Sequence, residues 1–147
     1  MKKVLIITYY WPPSGGSQVL RWLKFSKYLP EFEWEPVIYT PENPEPQETD
    51  NSLVQEIPDE IKVIKRPIWE PYKFYRILHK KKKYEKISTA FISEKKSNLI
   101  VEKVSNFIRS NFFIPDARKF WIKPSFRFLK NYLINNTVDL IVSSGPP

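Results

Sequence analysis

The chain has no cysteine among its 147 residues. That excludes a disulfide framework, a thiolate zinc site and a cysteine nucleophile. Histidine occurs once, at His79, which excludes a multi-histidine metal site. It also weakens any histidine-based acid–base scheme held within these residues. Long apolar runs are missing too: no stretch approaches the roughly 18 residues of a membrane span. Met1-Lys2-Lys3 followed by Val4-Leu5-Ile6-Ile7 imitates the start of a signal peptide. The run ends at Thr8, however, and Tyr9-Tyr10-Trp11-Pro12-Pro13 offers no small-residue cleavage site. The opening therefore reads as a buried first strand of a cytoplasmic protein.

What is present suffices for one domain: 41% of residues are hydrophobic and 16% aromatic, enough for a core at this length. The net charge of +8 is unevenly spread. Residues 1–60 carry 5 Lys and Arg against 10 Asp and Glu, a net of −5, whereas residues 61–133 carry 19 against 5, a net of +14. One stretch thus supplies all the basicity, which points to an anionic partner: nucleic acid, phospholipid headgroups or a phosphorylated substrate.

The pattern predicts a strand over Lys3–Thr8, where a continuous apolar run suits a strand covered on both faces. A loop follows, then a helix from Ser17 to Leu29, with Val19, Trp22, Leu23, Ser26 and Leu29 at helical spacing and Pro30 as the stop. Further strands are predicted over Pro36–Thr40, Ile61–Lys65 and Val138–Ser143, and a short helix over Ser52–Glu56. Helices are expected over 71–82 and 97–110. Another is expected to start at Pro124, with Phe126, Leu129 and Leu133 inward and Asn135-Asn136 as its end. The order argues for an α/β fold with a parallel sheet covered by helices. A sheet of about four strands with nothing after its last loop is poorly covered on one side, which predicts a chain cut from a longer protein.

Between the first strand and the first helix lies Pro12-Pro13-Ser14-Gly15-Gly16-Ser17. Two glycines let backbone approach a phosphate, and the helix start adds free N–H groups and a positive dipole end. The loop is neither the G-x-G-x-x-G fingerprint nor a Walker A loop, which argues against a nucleotide-dependent oxidoreductase half-domain. A tight turn that needs glycine is the other reading open for it.

Lys3 to Ser17, with its Tyr9-Tyr10-Trp11-Pro12-Pro13-Ser14-Gly15-Gly16 run, resembles the opening of family-4 glycosyltransferases of the GT-B fold. Arg21-Trp22-Leu23, the segment from Leu29 to Thr40, Ile114 to Trp121 and Ser143 to Pro147 continue the likeness over nearly the whole chain. The resemblance implies a Rossmann-like acceptor-binding domain with helices on both faces. It also implies a partner domain, beyond Pro147, that binds a nucleotide-sugar donor and carries the paired glutamates. Gly15, Gly16 and Ser17 would then face the donor diphosphate, and Trp11, Pro13, Ser14, Asp116, Arg118 and Gly145 would line an acceptor cleft. The catalytic-loop histidine is expected past Pro147. The family needs no metal and no cofactor, the nucleotide sugar being a co-substrate; the resemblance implies retention at the anomeric centre, which the residues themselves leave open. The family often carries a further glycine after the pair, where this chain has Ser17-Gln18.

The basic stretch interleaves lysines with rings: Trp69, Tyr72, Phe74, Tyr75, Lys80 to Lys83, Tyr84, then Phe112, Phe113, Phe120, Trp121, Phe126 and Phe128. Within it, residues 67–123 read as a helical basic insertion. Lys80, Lys81, Lys82 and Lys83 with Trp69 and Tyr84 suit contact with anionic lipid. A solvated basic face over core aromatics is the alternative, and Phe107 and Phe126 sit on helical stripes that favour it. Asp116-Ala117-Arg118 reads either as a cleft acid–base pair or as a helix cap with a surface ion pair. His79 reads as a surface residue, and Asn135-Asn136-Thr137 as an unused glycosylation pattern. The combined expectation is the acceptor-binding half of a glycosyltransferase, inactive alone, peripheral on the cytoplasmic membrane face. It would act on a glycan or lipid-linked acceptor, with no nucleic acid partner. The rival is a non-enzymatic basic module that binds nucleic acid or anionic lipid.

Overall fold

A computed structural model describes residues 1–44, 48–68, 107 and 118–145. The chain divides into two compact units, residues 1–68 with 124–147, and residues 69–123. The first unit is built on a four-stranded parallel sheet. Its strands are β1 (Lys2–Thr8), β2 (Trp34–Pro41), β3 (Lys62–Arg66) and β4 (Leu140–Ser144), ordered β3-β2-β1-β4. That order belongs to the first strands of a doubly wound α/β sheet, so the α/β class with a parallel sheet read from the sequence is observed, while residues 69–106 and 108–117, where the helical basic insertion is expected, lie outside the described residues.

The centre of the sheet follows directly from composition. Val4, Leu5 and Ile6 of β1 and Val37, Ile38 and Tyr39 of β2 are all buried, as continuous apolar runs in central parallel strands must be. Register pairs Val4 with Pro36 and Ile6 with Ile38 on one side of β1, and Val4 with Leu140 on the other. β3 and β4 are the edges. Lys62, Lys65 and Arg66 are exposed on the first, and Leu140 and Ile141 on the second.

Helix α1 (Ser17–Tyr28) buries Val19, Leu23 and Ser26. Pro30 does not simply end the chain's helical path. It opens a 3-10 turn, Leu29–Phe32, that leaves through Glu33 at φ 62° into β2. The short helix expected at Ser52–Glu56 is a 3-10 turn over Asn51–Glu56. Asp50 caps it, its carboxylate accepting from the Ser52 amide at 3.0 Å and the Ser52 hydroxyl at 2.6 Å, and Leu53 anchors it.

Helix α2 (Lys119–Asn135) begins before Pro124, which lies inside it rather than at its start. Its inward residues are Ser125, Phe128, Leu129 and Tyr132, a spacing of three and four that sets one face. Phe126, expected inward, lies about 100° round the helix from that face and is 68% exposed. Phe128 stacks on Tyr39 of β2 at 5.7 Å and on Tyr132 at 6.2 Å. Arg66 and Lys62 of β3 sit over those two rings, at 4.8 and 5.2 Å. Two cations of the basic stretch and one of its aromatics thus hold α2 to the sheet, and burial pushes the Tyr39 phenol above its ordinary value. The helices expected over 71–82 and 97–110 lie outside the described residues, apart from Phe107. That residue is helical but 64% exposed, not in a core.

Candidate functional site

The chain leaves β1 through three aromatic residues, and all are buried: Tyr9, Tyr10 and Trp11 are 3%, 8% and 2% exposed. Tyr9 and Tyr10 meet edge to face at 4.8 Å. The Thr8 hydroxyl donates to the Tyr10 carbonyl at 3.1 Å. The aromatic run anchors the loop from inside, so Trp11, expected at an acceptor cleft, is a core residue. Ser14, expected beside it, is 3% exposed.

Beyond the Pro12-Pro13 bond, which is cis, the loop is stitched to a distant segment. Ser14 forms an isolated antiparallel bridge with Thr49. The Gly15 amide donates to the Glu48 carbonyl at 2.9 Å, and the Asp50 amide to the Pro13 carbonyl at 2.8 Å. Gly15 therefore has its N–H engaged and is not an open phosphate donor. A Cβ on Gly15 would lie 3.4 Å from that of Glu48 and 3.5 Å from that of Asp50, ordinary contact distances.

Gly16 differs. It is the N-cap of α1 at φ 102° and ψ 165°, a conformation essentially reserved for glycine. No side chain caps the helix and its first turn carries no acidic residue. The first backbone bond of the helix runs from the Leu20 amide to the Gly16 carbonyl at 3.2 Å. The amides of Gly16, Ser17 and Gln18 precede it and have no hydrogen-bond partner among the described residues. Gly16 and Ser17 are also exposed. Open amides at a helix start favour an anion, and no carboxylate of that turn opposes it.

Arg21 follows Ser17 by four residues, hence on the same side of α1. Its guanidinium donates to the Ser144 hydroxyl at 3.4 Å, at the end of β4, and packs over the Trp22 ring at 5.5 Å. In the sequence Arg21 carries the family likeness alone and no site motif of its own. The i, i+4 relation to Ser17 was the available signal. Gly145, exposed, follows Ser144 directly. The glycine loop, the α1 N-terminus, Arg21 and the Ser144-Gly145 segment thus gather at the carboxyl ends of β1 and β4. Between these strands the sheet order reverses, and open α/β sheets bind ligands at such a point.

Pro13 is exposed on the same loop. Arg118 is half-buried and lies in the other compact unit, its carbonyl accepting from the Trp121 amide at 2.9 Å. Asp116, Trp69, Lys80, Lys81, Lys82, Lys83, Tyr84 and His79 lie outside the described residues. Among the described residues no helix is long and apolar enough to cross a membrane. No protein-family model matches the chain, and no curated protein or solved structure matches it either.

Proposed function

We propose that this chain is the acceptor-binding half of a family-4-like GT-B glycosyltransferase, acting at the cytoplasmic face of a membrane. The observation that carries the reading is the set of uncommitted amides of Gly16, Ser17 and Gln18, with Arg21 beside them, at the switch point between β1 and β4. Right-handed crossovers that run in opposite directions along the sheet would place α1 and α2 on opposite faces, as a Rossmann-like half requires. The resemblance of Lys3 to Ser17 supplies the rest.

In the reaction this implies, the bond from the anomeric carbon to the donor diphosphate breaks. An acceptor hydroxyl oxygen bonds to that carbon, and its proton passes to the departing diphosphate oxygen. Negative charge collects on the leaving diphosphate, where preorganised amides and a guanidinium stabilise it without a metal. Gly16, Ser17, Gln18 and Arg21 fill that role, while Gly15 shapes the turn. The nucleotide-sugar domain and its histidine belong to the remainder of the enzyme, expected after Pro147.

The test compares residues 1–147 with the two-domain protein encoded by the complete gene. The two-domain protein should transfer a labelled sugar from a nucleotide donor to a glycan or lipid-linked acceptor. The 147-residue chain should show no transfer and no micromolar affinity for nucleotide sugars by calorimetry. Tight binding of a nucleotide sugar by residues 1–147, or salt-sensitive DNA binding with no transferase activity in the complete protein, would overturn the reading.

A further inference from the structure

Gly15 and Gly16 set side by side, directly before α1, two residues of the type that loses most conformational freedom on ordering. A ligand that had to order them itself would bind more weakly, because that entropy would come out of its affinity. The loop has little of its own to hold it. Within residues 11–16 one backbone bond forms, from the Ser14 amide to the Trp11 carbonyl at 3.0 Å. Among the described residues no side chain caps α1.

The order comes from residues 48–56, which tie the site on both sides. The strap from Glu48 to Asp50 takes the loop: the Gly15 amide donates to the Glu48 carbonyl, Ser14 bridges Thr49, and the Asp50 amide donates to the Pro13 carbonyl. The turn Asn51–Glu56 takes the helix: the Glu56 carboxylate accepts from the Lys24 ammonium, a bond that holds this ammonium above its ordinary pKa. Asp50 joins strap to turn, because its carboxylate accepts from both the amide and the hydroxyl of Ser52. Leu53, 4% exposed, seats the turn in the core. In the chain, the open amides of Gly16, Ser17 and Gln18 lie between the tie at Gly15 and the tie at Lys24.

We propose that Asp50 and Glu56 are positioning residues for the anion site: residues 48–56 form a clasp that pre-orders the glycine loop and the start of α1, and an anion on the Gly16, Ser17 and Gln18 amides tightens that clasp. The inference rests on the diphosphate reading of the α1 N-terminus. As carboxylates, Asp50 and Glu56 give an anion nothing by charge, so their contribution is the backbone path they fix. Linkage makes the effect reciprocal: whatever factor the closed clasp adds to anion affinity, the bound anion adds to closure of the clasp.

The experiment titrates residues 1–147 with inorganic pyrophosphate, reading affinity from nitrogen-15 amide shifts and closure from amide hydrogen exchange. Asp50→Ala should weaken binding about fivefold, the usual loss for a side-chain cap. Glu56→Ala should weaken it about twofold, as suits an exposed ion pair. Both changes remove a negative charge, which alone would strengthen anion binding, so weaker binding reports lost geometry. Asp50→Asn keeps the cap without the charge and should bind at least as tightly as the parent. In the parent, saturating pyrophosphate should slow exchange at the Gly15 and Asp50 amides about fivefold. Should Asp50→Ala fail to fold, Glu56→Ala and the exchange measurement carry the test. No saturable shift at Gly16, Ser17 or Gln18 in the parent would overturn the proposal together with the anion-site reading beneath it. Three other results would overturn the clasp and leave the anion site standing: parent-like binding by both alanine variants, an Asp50→Asn variant as weak as Asp50→Ala, or exchange at Gly15 and Asp50 that is indifferent to pyrophosphate.

Discussion

Replacing Ser17 by proline is expected to cut sugar transfer by the two-domain enzyme on the order of 10²-fold while leaving the fold in place. The two halves of that expectation have separate causes. Ser17 is the first residue of α1, directly after its N-cap, and its amide has no hydrogen-bond partner in the described structure. Proline is tolerated at that position because the missing N–H was unpaired and its fixed φ suits a first helical turn. Gly16, the residue before it, stands at ψ 165°, in the extended range that a following proline prefers. Stability should therefore stay within about 1 kcal/mol of the parent. Turnover should fall because one preorganised donor to the leaving diphosphate has been deleted, a loss worth roughly 10²–10³-fold in comparable anion-stabilising sites. Ser17→Ala, which removes the hydroxyl but keeps the amide, should run close to the parent rate. Equal losses for the two variants would place the effect in the side chain. No loss for either would make the segment a helix start and nothing more.

The two glycines are expected to part company on substitution. Gly16→Ala should destabilise the chain by about 1–3 kcal/mol, the cost of forcing a side-chain-bearing residue into a backbone region that glycine alone visits freely. A Cβ at Gly16 meets nothing within 4 Å, so the penalty is backbone strain and not a clash. Gly15→Ala should change stability by no more than about 0.5 kcal/mol, since its new methyl would only touch Glu48 and Asp50 at ordinary distances. Urea unfolding of the 147-residue chain measures both. A tolerated Gly16→Ala would mean that the loop enters α1 by another backbone path, and a strongly destabilising Gly15→Ala would mean that the 48–50 strap cannot adjust.

That contrast marks the limit of what the residue order revealed. The pair Gly15-Gly16 reads as one motif, and it is one only in part. What separates the two is the strap from Glu48 to Asp50, over 30 residues away in sequence, and no local pattern announces a bridge such as Ser14 to Thr49. The central sheet is legible because Val4 to Ile7 and Val37 to Tyr39 are short uninterrupted apolar runs, the pattern of strands buried on both faces. Helix α1 was legible from its three- and four-residue spacing. Its outer aromatics, Phe25 and Tyr28, are not legible as a patch because the inner stripe already accounts for the helix. The start of helix α2 is not legible in the sequence, because Pro124 has the pattern of a first-turn proline but lies inside the helix. The stacking of Phe128 on Tyr39, a contact between distant residues, then rotates Phe126 outward.

The proposed diphosphate site lies against the start of α1, beside Arg21. Nitrogen-15 amide spectra of residues 1–147, titrated with inorganic pyrophosphate, test it without the donor domain. Saturable shifts are expected at the amides of Gly16, Ser17 and Gln18, at the Arg21 side chain and at Gly145, with the bonded amide of Gly15 moving least of the loop. Shifts confined to lysines elsewhere, or none at the α1 N-terminus at saturating pyrophosphate, would contradict it.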